Sequence, residues 1–222
     1  MRKIFIFAAL SILSLGFSAT RSRADVDVGV SIGDDGIKGF YLAIGDHYQV
    51  PQKQVLIVRE RNIPDEELPV VFFLAKRAGV APGVIIDLRL KDKSWMAITL
   101  HFGLSAEIFY VPVSVDPGPP YGKAYGHFRK RARNKWGEIR LADADVINLV
   151  NLRFISERHG YSPDEVIKIR QQGKNFVAIN TEVKARKDKQ RKKQFAADKG
   201  SEGDRKASKG KTKESRGKDK KP

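Results

Sequence analysis

One recurring unit leaves this chain little choice of fold. Shifting the sequence by 81 residues lays Gly79 on Gly160, Pro82 on Pro163, Ile85 on Val166, Ile86 on Ile167 and Leu88 on Ile169. Arg89 then meets Arg170, Lys93 meets Lys174, Trp95 meets Phe176, Ala97 meets Ala178 and Ile98 meets Ile179. The unit reads Pro, an apolar pair three and four residues on, apolar-Arg, then Lys-x-aromatic-x-Ala-Ile. That spacing follows the helical period. A glycine ends one helix, and a proline opens the next at a position whose N–H has no intrahelical partner. The pattern predicts helix pairs. Looser copies begin at Pro51 and Pro120, giving about four irregular units. Trp95, Trp136 and Phe176 are expected in equivalent buried positions, with Ile85, Ile98, Val166 and Ile179 along the seams.

Local signals place the other elements. Ser162-Pro163-Asp164-Glu165 reads as a capping box. Asp143 is expected to cap a helix through Val146, Leu149, Val150, Phe154 and Ile155, which Gly160 ends. Pro64-Asp65-Glu66-Glu67 opens the matching helix, with Leu68, Val71, Phe72 and Ala75 inside and Gly79 at its end; Pro69 is tolerated near its first turn. Phe40, Ile44 and Tyr48 lie four apart, as on one helix face. Asp25 to Ile32 alternates polar and apolar residues and predicts one short strand, with Gly33 to Gly36 as a turn. Val115 to Pro120 breaks the helical pattern. The expected fold is mainly α: a short β segment and turn at 25–37, a helical lobe at 38–112, a Pro-rich linker at 113–120 and a second lobe at 121–183.

The 222 residues carry 42 Lys+Arg and 26 Asp+Glu, a formal net charge of +16. Residues 184–222 alone hold 17 Lys+Arg against 6 Asp+Glu, whereas residues 25–183 hold 21 against 20. A nearly neutral body thus carries a basic tail. The tail is low in complexity, with Phe195 its only aromatic, and is expected to be disordered, its first dozen residues extending the last helix. At the other end, Arg2 and Lys3 precede an apolar run from Ile4 to Phe17, and Ser22-Arg23-Ala24 puts small residues at −3 and −1 of a cut before Asp25. This is the three-part pattern of a cleavable signal peptide over residues 1–24. The run is too short to span a bilayer. The expected location is periplasmic or secreted, in a bacterial envelope. There is no cysteine, so disulfides, thiolate chemistry and Cys-based zinc sites are excluded.

Few constellations carry chemistry. VIIDLRLKDKSWMAITLHFGLSAEIF, after Pro82, resembles a helix-turn-helix module: a first helix, a basic joint, Trp95-x-x-Ile98, a turn at Gly103 and a third helix from Ser105 to Val111. That third helix offers Glu107, Ile108, Phe109 and Tyr110, none of them a side chain suited to base edges. Over residues 40–183 the chain is similar to exported bacterial proteins that repeat a helix pair of the form S/A-P-x-x-V-I-x-x-R-x-x-G/D-K-x-W/F. The resemblance implies a helical fold and an envelope location, with no catalytic role.

The basic run Arg129, Lys130, Arg131, Arg133 and Lys135 follows Tyr121, Tyr125 and Phe128. Aromatics beside cations can contact phosphate or sugar, although helical spacing turns these three aromatics inward. Together with Lys187, Arg191, Lys192 and Lys193 of the tail, the run forms the candidate polyanion-binding set. His47 and His159 fall at helix ends, where the dipole favours a cation or donor. Neither they nor His101 and His127 show metal-ligand spacing. The carboxylates crowd helix starts, and neither a P-loop nor a nucleophile elbow is present. The sequence therefore predicts an exported, non-enzymatic protein with a binding or structural role, without cofactor or metal. Its tail would contact lipopolysaccharide, a wall polymer or an anionic membrane surface, and its body would dock a protein or a wall component. Nucleic-acid binding through degenerate helix-turn-helix units and the tail is the alternative.

Overall fold

A computed structural model describes residues 34–214, with side chains from 35 to 195. The expected signal peptide and the strand at Asp25 to Ile32 lie outside the described residues. Among those described, the fold is mainly helical and has no strand. The α-helices are α1 (Asp34–Tyr48), α2 (Gln52–Glu60), α3 (Leu68–Ala78), α4 (Pro82–Arg89), α5 (Trp95–His101), α6 (Gly122–Arg129), α7 (Asp143–His159), α8 (Pro163–Arg170) and α9 (Phe176–Glu214). Short 3-10 turns occupy Asp65–Glu67, Ala106–Phe109 and Arg133–Glu138.

The apolar content of α3 explains its place. Every residue from Leu68 to Ala75 is buried, as expected of a helix apolar all round. It packs on α7, which buries Val146, Leu149, Val150, Phe154 and Ile155. Phe40, Ile44 and Tyr48 bury the inner face of α1; the Phe40 ring meets Phe154, and the Tyr48 ring meets Phe154 and Phe72. Because α1 lies along α9 and α3 along α7, the segments on either side of 113–120 share one core.

Three short helices have the same frame. Residues in the left-handed region bracket α2 (Gln49 and Asn62), α4 (Gly79 and Asp92) and α8 (Gly160 and Gly173), each pair thirteen residues apart. The left-handed residue that precedes each helix reverses the chain, and the following N–H reaches back to a carbonyl of the preceding helix: Val50 to Gly45 at 3.0 Å, Val80 to Ala75 at 3.0 Å and Tyr161 to Ser156 at 3.2 Å. Arg59, Arg89 and Arg170 each stand three residues before the second left-handed residue.

The α4–α5 and α8–α9 joints match in further detail. Arg89 lies 4.6 Å from the Trp95 ring centroid, and Arg170 lies 4.6 Å from that of Phe176. Arg89 donates to the Lys93 carbonyl and Arg170 to the Lys174 carbonyl. Ser94 Oγ accepts from the Ala97 N–H at 3.1 Å, and Asn175 Oδ1 accepts from the Ala178 N–H at 2.9 Å.

Several expectations are corrected. Asp34 to Gly36 begin α1 and are not a turn. Asp143 does not cap α7. Asp145 accepts the Ala142 N–H instead, while Asp143 Oδ1 takes the Trp95 N–H at 2.8 Å and Oδ2 takes Arg89 at 2.6 Å. Glu66 does the reciprocal job, accepting the Phe176 N–H at 2.5 Å. Orphan N–H groups at the starts of α5 and α9 are thus satisfied across the core.

Trp136 does not stand where Trp95 and Phe176 do. It lies in a 3-10 turn, and its Nε1 donates to the Phe128 and Arg131 carbonyls. The last helix, α9, runs from Phe176 to Glu214, so it extends through the first dozen residues of the basic tail, as the sequence predicts, and continues beyond them. Once its first turns are packed, the costly nucleation step is done, and the Lys, Arg, Gln and Ala that dominate residues 184–199 propagate the helix well.

Candidate polyanion-binding site

The nine candidate cations separate into two groups. In the run after α6, carboxylates hold three of five. Arg129 pairs with Asp116, Arg133 lies 3.7 Å from Glu107, and Lys135 lies 3.0 Å from Glu138. Arg133 also sits 5.2 Å from the Trp136 ring centroid. Lys130 and Arg131 are exposed, with no ion-pair partner among the described residues. Tyr121, Tyr125 and Phe128 are buried, as helical spacing predicts. The Tyr125 hydroxyl donates to the Val111 carbonyl at 2.6 Å, and burial raises its pKa. Phe128, Tyr110 and Trp136 pack edge to face beside it. These aromatics serve the core, so this run is a rim of mostly paired charges.

The segment expected to act as a recognition helix is also interior. Ser105 to Val111 forms only the 3-10 turn Ala106–Phe109, with Ala106 and Phe109 buried. The Phe109 ring packs, tilted, against Phe73 of α3, with centroids 5.7 Å apart. Burying Phe109 fixes this segment against the core and leaves no free helix to enter a groove.

The second group lies on α9. Among the described residues Val183 is the last buried one of this helix, and every side chain described from Lys184 to Phe195 is exposed. Residues 184–214 hold 13 Lys+Arg and 5 Asp+Glu. At 1.5 Å per residue this arm is about 46 Å long. Its root is tied to the body at several points. Lys187 Nζ donates to the His159 carbonyl at 2.8 Å, where it opposes the negative end of α7. Glu182 is held by Lys174 at 2.5 Å and by Arg186. Despite partial burial, these two cations keep the Glu182 carboxyl below its ordinary pKa.

Between α1, the end of α7 and the root of α9 lies a cleft of about 360 Å³. Gly39, Leu42, Ala43 and Asp46 line it from α1, and Lys184, Lys187, Asp188 and Arg191 from α9. Arg158 and His159 complete the wall. Arg158 pairs with Asp46 at 2.5 Å. His159 Nε2 lies 2.8 Å from Asn180 Oδ1, and burial holds its pKa below 6.5. The sequence singles out Lys187 and Arg191, places Lys184 only in the tail, and gives no sign of Arg158. Arg158 carries no local signal, because its role depends on α7 ending against α1 and α9.

Among the described residues, no group of three or more His, Asp or Glu side chains is arranged to hold a metal, and no helix is long and apolar enough to cross a membrane. No family model, curated protein or solved structure matches the chain.

Proposed function

We propose that this chain is an exported, non-enzymatic protein of a bacterial envelope, whose helical body supports a cationic arm that binds polyanionic surfaces. The observation that carries the reading is the segregation of charge onto a single helix. The body from 25 to 183 is almost neutral, and the arm holds 13 Lys+Arg along one continuous helix rooted in the core. A helix fixes the spacing of its charges, so the arm presents them as a rod to a surface rather than as a diffuse cloud. The matching targets are phosphate-rich: lipopolysaccharide, anionic phospholipid or a wall polymer. The body is read as repeats of one helix pair, supported by the three thirteen-residue frames around α2, α4 and α8, and it is the part available to a protein partner. The apolar run from Ile4 to Phe17 and the small residues before Asp25 support export and cleavage.

Sedimentation with vesicles tests the reading. Anionic vesicles and lipopolysaccharide should bring the protein down at low salt, and neutral phosphatidylcholine vesicles should leave it in solution. Equal sedimentation with neutral and anionic vesicles, or with neither, would contradict it. Duplex DNA is the informative competitor. Displacement of the protein from vesicles is expected from charge alone, whereas binding that prefers one DNA sequence would favour the nucleic-acid alternative. Export is checked by the mass of the mature chain, which should begin at Asp25.

A further inference from the structure

We infer that the cleft between α1, α7 and the root of α9 binds a phosphate monoester group. The inference deepens the polyanion reading and rests on it: the arm would deliver the protein to a surface, and the cleft would grip one headgroup.

The cleft arises from two helix stripes. On α9, Lys184, Lys187, Asp188 and Arg191 fall at i, i+3, i+4 and i+7, so they share a face. On α1, Gly39, Leu42, Ala43 and Asp46 have the same spacing and face them. Gly39 and Ala43 are too small to fill the space, and a Cβ built on Gly39 would meet nothing within 4 Å. The volume of about 360 Å³ suits a small ligand and is too small for a duplex.

The charges suit a dianion. Arg158, Lys184, Lys187 and Arg191 oppose Asp46 and Asp188, which leaves the wall at plus two. Asp46 is occupied by Arg158. Lys184 and Arg191 have no ion-pair or hydrogen-bond partner among the described residues, so their donors are available. Arg158 keeps a buried Nε with no partner among those residues. His159, neutral and tied to Asn180, adds no charge. The C-terminal end of α7 would repel an anion, but Lys187 already caps it. Leu42, 45% exposed on the same wall, offers apolar contact to the glycerol or sugar carbons next to a phosphate. Arginine and lysine together supply both a fork and a point charge for phosphate oxygens.

Two probes separate the sources of such a group: inorganic phosphate, and phosphatidylcholine vesicles doped with phosphatidic acid. Lys184→Gln/Arg191→Gln removes the two available donors. Gly39→Leu fills the cleft without changing the charge. Lys53→Gln/Lys91→Gln removes the same charge from exposed sites on the body. In the full chain, the first two variants should each lose about tenfold in affinity for phosphatidic acid vesicles, and the third should bind as the parent does. The same losses with inorganic phosphate identify the phosphate as the whole determinant. If they appear with vesicles alone, the determinant is a lipid headgroup.

Parent-like affinity of a folded Gly39→Leu protein for both probes would overturn the cleft while leaving the arm reading intact. Failure of the parent to bind either probe at low salt would remove both.

Discussion

The α4–α5 and α8–α9 joints start alike and end differently. Each has a proline at the first helical position, an arginine stacked on a buried aromatic and a polar cap for the next helix. Counting that aromatic, α5 lasts seven residues and ends at His101, just before Gly103, which takes a left-handed φ of 68°. The residue 81 positions on is Lys184, which has no such ease, and α9 runs on to Glu214. A glycine there closes a core helix, and a lysine opens an arm. The difference teaches that the arm continues a core helix left unterminated: α9 buries most of its first two turns, and its described side chains from Lys184 to Phe195 are exposed.

The largest effects should come from the feature the joints share. Trp95→Ala and Phe176→Ala each remove a fully buried ring and should cost about 3–5 kcal/mol in urea unfolding. Similar losses would support the equivalence, and a small loss at only one joint would break it. Next is the feature that divides them. Lys184→Pro removes a helical N–H and clashes with the preceding turn, costing about 3 kcal/mol. Far-UV circular dichroism should show helix lost from the arm; unchanged helicity would mean that the arm does not depend on continuity with α9.

The stacked arginines should differ. Arg89 forks onto Glu67 at 3.0 Å and also holds Asp143, whereas Arg170 has its ring and a carbonyl. Arg89→Gln leaves two half-buried carboxylates short of a partner and should cost about 2 kcal/mol; Arg170→Gln should cost about 1 kcal/mol, the scale of one hydrogen bond. Both are read from the urea midpoint. Ser94→Ala and Asn175→Ala delete matching caps, and each should cost about 1 kcal/mol.

The smallest effect is one of pH. Burial holds the pKa of His159 below 6.5 in the folded chain, so the unfolded chain takes up the proton first as pH falls. Stability contributed by the neutral ring is present above pH 6.5 and is lost as pH drops from there through the folded value. The α3–α4 joint has Ala78 at the matching position. His159→Ala should therefore shrink the fall in Tm between pH 7 and pH 5, with the remainder due to His47, whose pKa burial also lowers. An unaltered fall would mean that His159 is not its source.

Much of this frame is legible in the sequence, because Pro163, Ser162, Glu165 and Gly160 act locally. Ser162 and Glu165 do form the expected capping box. Phe40, Ile44 and Tyr48 line the core on the helical period alone. What escaped was set by tertiary contact or by disguised turns. Gln49, Asn62 and Asp92 adopt the left-handed conformation that glycine would have advertised. Asp143 looks like a cap for its own helix, yet it serves Trp95 because α5 packs beside α7. Ser105 to Val111 has a helical pattern, but burial of Phe109 holds it to a 3-10 turn. The basic run from Arg129 is conspicuous in sequence, and Asp116, Glu107 and Glu138 then pair with much of it. The cleft forms where stripes on α1 and α9 meet the end of α7, so no pattern local to one helix announces it.

The central claim is that the arm, not the basic run after α6, binds polyanionic surfaces. The direct measurement is affinity for anionic vesicles across a salt series. It compares the full chain with two variants: Lys189, Arg191, Lys192 and Lys193 all changed to Gln, and Arg129, Lys130, Arg131 and Arg133 all changed to Gln. Each removes four charges. The account predicts a clear fall in affinity and a shallower salt dependence for the arm variant only. Equal losses in both variants, or a loss confined to the run after α6, would contradict it.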